Sequence, residues 1–182
     1  IIHMITVNPV IEQIPFETYV NESLRTRLKN INKYQPWEIN SLWNLIKEKY
    51  SEEIAGYKYC LLDYRTTDLQ SGDIQVGLPH WHTDCTLDMN HQTRPEIHFM
   101  WQDGPPGSET RFLNIKAQGL IGLNSVSQAQ YEEMFKTNGI VAKPRHLIKY
   151  NRFTIHKPNP ATEAGKRTFI RITFTDLVKP LE

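Results

Sequence analysis

The apolar period of the chain changes at about Gly56, and that change limits the folds open to it. Before this point apolar residues recur at helical spacing. Leu24, Leu28 and Ile31 fall at i, i+4 and i+7 behind Asn21 as a cap, and Ile39, Leu42, Trp43, Ile46 and Tyr50 follow Pro36. Beyond it come short, alternating or aromatic-rich segments: 57–64, 96–102, 110–115, 147–150, 153–156 and 167–175. Turn signals such as Ser71-Gly72-Asp73 and Asp103-Gly104-Pro105-Pro106-Gly107 separate them, and one more helix is expected over 128–136, stopped by Asn138-Gly139. The pattern predicts an α+β chain forming a single domain over 1–182. Residues 1–55, mainly helical, back a β core over 56–176. A jelly-roll-like double sheet suits short strands, because two stacked layers leave little edge exposed.

Composition excludes several classes. The chain has 182 residues, enough for a sizeable core. Its 21 basic and 20 acidic residues give a net charge of +1, so no cation excess exists to displace counterions, which argues against nucleic acid as a partner. The basic run Lys143, Arg145, His146, Lys149 and Arg152 reads as a solvated strand face. Apolar runs are only a few residues long, so no membrane span is expected. Cys60 and Cys85 are too few for a disulfide framework, and Ile1-Ile2-His3-Met4 lacks the basic start of a signal peptide. A reducing, cytoplasmic setting is the expectation. Oligomeric state leaves no mark on the sequence.

Chemistry concentrates in Leu78-Pro79-His80-Trp81-His82-Thr83-Asp84 and in the distant His156. In an extended segment, residues two apart share a face, so His82 and Asp84 are able to bind one ion together. His156 joins them only through the fold. Two imidazoles and one carboxylate are the facial set that suits Fe(II) and leaves positions open. A lone His-x-Asp is common by chance; the order, with a later His and an arginine-bearing strand, carries the reading. Arg167 and Arg171 follow His156 by eleven and fifteen residues. Strand alternation puts both on one face with Thr173, while Ile170, Ile172 and Phe174 fill the other. A guanidinium fork binds a carboxylate through two parallel hydrogen bonds, and Arg171-Ile172-Thr173 adds a hydroxyl.

From about Tyr57 to Phe174 the chain resembles the iron(II)/2-oxoglutarate-dependent dioxygenases. The resemblance implies a double-stranded β-helix (jelly-roll or cupin-like) core backed by the N-terminal helices. It also implies Fe(II) held by His82, Asp84 and His156, with 2-oxoglutarate as co-substrate. In that family a basic residue ten to fifteen positions after the distal His takes the far carboxylate. Both Arg167 and Arg171 fall in this range: the spacing of eleven favours Arg167, whereas the Arg-x-Thr form favours Arg171 with Thr173. A further arginine four residues on binds substrate in one branch. An early-strand tyrosine often helps, here Tyr64 or Tyr59. The implied activity is oxidation by O2, most simply hydroxylation, of a small polar molecule or an amino-acid or peptide side chain, with succinate and CO2 as co-products. Retention of Asp84 argues against halogenation, which needs a small residue there. The Asp63, Arg65, Asp88 and Arg94 cluster suits a polar substrate, and a lid is expected from the N-terminus or the 88–95 loop.

Two rivals use the same residues. His80-Trp81-His82-Thr83-Asp84-Cys85 is one residue short of the His-x-His-x-Asp-His signature of metallo-β-lactamase-like zinc hydrolases. A non-catalytic cupin-like binding protein would use His80, His82 and a later histidine, although residues 86–88, Thr-Leu-Asp, lack the expected Glu.

Overall fold

The computed structural model describes residues 4–5, 11–75, 77–84, 95–117 and 125–181. Cys85, Asp88, Arg94 and nearly all of the expected 88–95 lid lie outside them. Along the chain run β1 (Met4–Ile5), β2 (Glu12–Pro15) and β3 (Thr26–Asn30), then a 3-10 turn (Trp37–Ile39), α1 (Asn40–Lys49) and α2 (Ser51–Ile54). There follow β4 (Tyr59–Leu69), β5 (Ile97–Asp103), β6 (Arg111–Ala117), α3 (Ser125–Asn138), β7 (Gly139–Val141), β8 (His146–Asn151), β9 (Thr154–Lys157) and β10 (Gly165–Thr175).

The strands make two antiparallel sheets. The larger runs β2-β8-β5-β10-β4-β3; in the smaller, β6 pairs with β1, β7 and β9. The long β10 lies between β4 and β5, with Arg171 opposite both Asp63 and Met100. Alternation along these central strands sorts the side chains. Tyr64, Phe99, Trp101, Ile170, Ile172 and Phe174 point to one face, where they pack with Ile39, Leu42, Trp43 and Ile46 around α1. On the opposite face Met100, Ile148 and Tyr150 meet Phe112 of β6, which joins the two sheets. The outer side of the smaller sheet, Leu113, Ile115 and Ile155, is covered by Tyr131 of α3 and by Trp81. A helix therefore backs each sheet, and the inner faces look at each other.

The fold is α+β, as expected, and its sheets are antiparallel, but the first 55 residues carry less helix than their periodicity predicts. The helix expected over Leu24, Leu28 and Ile31 is the edge strand β3. Leu28 has φ of 49°, outside the right-handed region, and its N–H donates to the Asp63 carboxylate at 2.9 Å. The pairing slips at this point, between Thr26 and Lys29. The irregular backbone still buries Ile31 in the core and Leu24 beside it, so apolar spacing that mimics a helix is met by a bulged strand.

Candidate metal centre and ligand cavity

His82 is not in a regular strand. A single bridge, His82 N–H to His156 carbonyl at 3.0 Å and the reverse at 2.9 Å, fixes it beside β9. The preceding Trp81 is fully buried and anchors the segment, its N–H donating to Gln128 at 2.7 Å and its carbonyl accepting from Gln128 at 3.0 Å. The His82 and His156 rings stand 4.5 Å apart. Asp84, two residues on, puts Oδ1 3.7 Å from His82 Nε2 and Oδ2 3.2 Å from His156 Nε2. One donor atom from each of the three lies within 4.8 Å of the others, the geometry of a group able to hold a metal ion.

The hydrogen bonds of the imidazoles test the fit. Nδ1 of His82 faces the His80 carbonyl at 2.6 Å, and Nδ1 of His156 faces the Thr154 carbonyl at 3.0 Å. A carbonyl only accepts, so both Nδ1 atoms carry a proton, which leaves each Nε2, on the Asp84 side, as the nitrogen a metal would take. Backbone carbonyls on the remote nitrogens are the usual means of orienting metal-binding histidines. The donor set fits a divalent ion of the iron or zinc type. Burial opposes charge on Asp84, but the neighbouring His156 and Arg171 outweigh it and hold the carboxyl well below its ordinary range. Burial likewise opposes the His156 imidazolium, and Asp84 reverses the balance, so this proton is held above the ordinary value. His82 shifts the other way, through burial and repulsion by His156.

Asp84 is held from the far side as well. Tyr150 donates its hydroxyl to Oδ2 at 3.0 Å, and Arg171 Nη1 donates to the same oxygen at 3.1 Å. Arg171 Nη2 donates to Asp63 at 3.2 Å. Arg171 is thus clamped between two carboxylates, and they overcome its burial to keep it protonated even more firmly than usual.

Arg167 is handled differently. It is 7% exposed and surrounded by neutral acceptors. Its Nε donates to the Ser108 carbonyl at 3.1 Å, Nη1 to Gln75, and Nη2 to Gln102 and to Thr110 at 3.2 Å. Burial and the neighbouring Arg65 outweigh the attraction of Glu109 and push its pKa down to about 10. Both arginines and the triad line one cavity of about 520 Å³, whose wall also includes Met100, Phe169 and Asn159.

Other expected residues are placed elsewhere. Tyr64 does not reach the site: its neighbours Asp63 and Arg65 line the cavity, while Tyr64 is buried in the α1-side core with its hydroxyl accepting from the Asn21 N–H at 2.9 Å. Tyr59 is not part of the cavity wall either. Thr173 is not part of the cavity wall beside Arg171; its hydroxyl pairs with His98 Nδ1 at 2.9 Å. His80, required by both rivals, is exposed and stands outside the triad; only its carbonyl takes part. Sequence reasoning missed Tyr150, Gln75, Gln102 and Thr110. The signal was faint: Gln102 is a polar residue at an inward strand position, in step with His98 and Met100.

Compared with protein-family models and with curated proteins, the sequence matches none. The case for function therefore stands on the site itself.

Proposed function

We propose that the protein is an Fe(II)- and 2-oxoglutarate-dependent oxygenase. One juxtaposition carries the reading: an open His-Asp-His group shares a cavity with Arg167, a buried cation lacking a carboxylate partner among the described residues. On this reading the two sheets are the halves of a double-stranded β-helix. His82, Asp84 and His156 hold the metal. Bound there, Fe(II) supplies the centre at which 2-oxoglutarate, O2 and a substrate C–H bond become succinate, CO2 and a C–OH group.

The chain's own work is binding and positioning. Arg167 takes the far carboxylate of 2-oxoglutarate with its charge and its remaining Nη1 hydrogen, and Ser108, Gln75, Gln102 and Thr110 hold the guanidinium in place. A carboxylate there also supplies the counter-charge that the buried guanidinium lacks. Tyr150 and Arg171 hold the Asp84 carboxylate in place, as outer partners of metal ligands do. Met100 and Phe169 give the cavity an apolar flank that limits water near the reacting carbon.

The test is anaerobic titration of the Fe(II)-loaded protein with 2-oxoglutarate, following the visible charge-transfer band of an iron–keto acid chelate. A saturable band, weakened in Arg167→Gln, is the expected result. No band, together with tight Zn(II) binding, would overturn the reading in favour of a zinc hydrolase or a cupin-like binding protein.

A further inference from the structure

The cavity holds more positive charge than its co-substrate accounts for. Four guanidiniums line it, those of Arg27, Arg65, Arg167 and Arg171, against the two carboxylates Asp63 and Asp84. Three of them gather round one ring: Arg65, Arg167 and Arg171 lie 5.9, 5.6 and 5.8 Å from the centroid of Phe169. Arg171 is committed to both carboxylates. Arg167 is enclosed by neutral acceptors and, on the reading above, is reserved for 2-oxoglutarate. Arg65 and Arg27 have no hydrogen-bond or ion-pair partner for their side chains among the described residues. Arg65 is half-buried against Phe169 and Arg27 is exposed; burial, together with repulsion by Arg171 and Arg27, outweighs the attraction of Asp63 at Arg65.

Topology explains the pairing. Thr26 is the partner of Tyr64 across β3 and β4, and both lie on the α1 side. Arg27, one residue on, turns with Asp63 and Arg65 to the cavity side. Bringing like charges together on neighbouring strands is unfavourable unless a ligand neutralises them. A divalent ion at the triad adds two positive charges, and the dianionic co-substrate offsets them. The surplus at Arg27 and Arg65 remains.

The geometry points to Arg27 and Arg65 as a substrate-recognition pair, so that the substrate is a small molecule bearing an oxyanion group, carboxylate or phosphate. The inference rests on the oxygenase reading for the identity of this ligand as substrate. It departs from the resemblance, in which the arginine four residues after the 2-oxoglutarate anchor, here Arg171, would bind substrate. In this chain that arginine is occupied by Asp63 and Asp84.

The experiment is calorimetric titration of the Zn(II)-loaded, 2-oxoglutarate-saturated protein with benzoate, phenyl phosphate and neutral benzamide. The expected result is binding of at least one oxyanion probe at least tenfold tighter than benzamide. Arg27→Gln and Arg65→Gln each weaken it about fivefold or more. Arg65→Lys keeps the charge and most of the binding, which separates lost recognition from lost folding. Preference between the two oxyanion probes names the substrate's group. Equal binding of benzamide, or unchanged oxyanion binding in the double variant, overturns the proposal. Affinity for 2-oxoglutarate is measured on the same variants and should stay within about twofold. If wild-type protein binds no 2-oxoglutarate but holds the probes through Arg27 and Arg65, the oxygenase reading fails and the anion site stands.

Discussion

Arg167 and Arg171 are equivalent in the sequence, two guanidiniums on one strand face, and their neighbours give them different work. Arg171 is held by Asp63 and Asp84, whereas Arg167 has only uncharged acceptors. Substituting each should therefore fail differently. Arg167→Gln is expected to raise the Kd for 2-oxoglutarate by about a hundredfold, the scale of losing one side of a buried charge pair, with metal affinity unchanged. Arg171→Gln should instead weaken the metal site, because Asp84 loses a donor. Tyr150→Phe removes the other donor to Asp84 and is expected to cost about tenfold in Zn(II) affinity, measured by competition with a chromophoric chelator. A Tyr150→Phe protein with wild-type metal affinity would remove Tyr150 from the positioning role. Calorimetry on both arginine variants checks the first pair; equal losses of 2-oxoglutarate affinity would contradict the division of roles.

Elements act on the site through their connections. The β5–β6 link, Gly104 to Thr110, carries the chain from the larger sheet to the smaller and reads in the sequence as a turn without chemistry. In the fold it is the seat of Arg167. A Cβ on Gly104 would lie 2.8 Å from Arg167 Cγ and 2.8 Å from Ser108 Oγ, closer than real contacts allow. Gly104→Ala should thus displace the guanidinium and weaken 2-oxoglutarate binding about tenfold or more while leaving Zn(II) affinity intact, since a small misplacement of an anchor is costly. Unaltered 2-oxoglutarate affinity would mean that the turn yields and Arg167 does not. Strand alternation was legible along β10, where odd residues face the cavity and even residues the core, and so was the His82, Asp84 and His156 set. The side of β4 was left open: Tyr64 was a candidate for the co-substrate and Asp63 with Arg65 for the substrate, and the register of β4 against β10 turns Asp63 and Arg65 inward. Nor was β3 legible, because a strand bent at Leu28 buries apolar residues at intervals a helix would also satisfy. Local spacing tells which residues share a face; pairing across the sheet decides where that face looks.

For the whole molecule, the polar groups between the sheets tie stability to pH. His98 sits on β5 under the triad, 2% exposed, stacked on Tyr150 at 4.9 Å and bonded to Thr173. Burial pushes its pKa down to about 3. The unfolded chain takes up a proton near the ordinary value of about 6.5, and the folded chain does not until far lower. Stability from a neutral buried His98 is therefore present above about pH 6.5 and lost as pH falls toward 3. His82, also lowered, adds to the same loss. His156 is raised, so its contribution is present below the ordinary histidine value and fades as pH rises through its folded value. The metal-free protein should accordingly be most stable near neutrality. Urea unfolding from pH 8 to 4.5 in the presence of a chelator measures this. His98→Gln keeps a hydrogen-bond partner for Thr173 but cannot titrate, so it should reduce the acid-side slope by up to about one proton. An unchanged slope in that variant would place the acid sensitivity in other groups. Metal bound at His82 and His156 competes with their protons, so loading with Zn(II) should raise stability more toward the alkaline end of the range, where His156 gives up the proton that Asp84 holds on it.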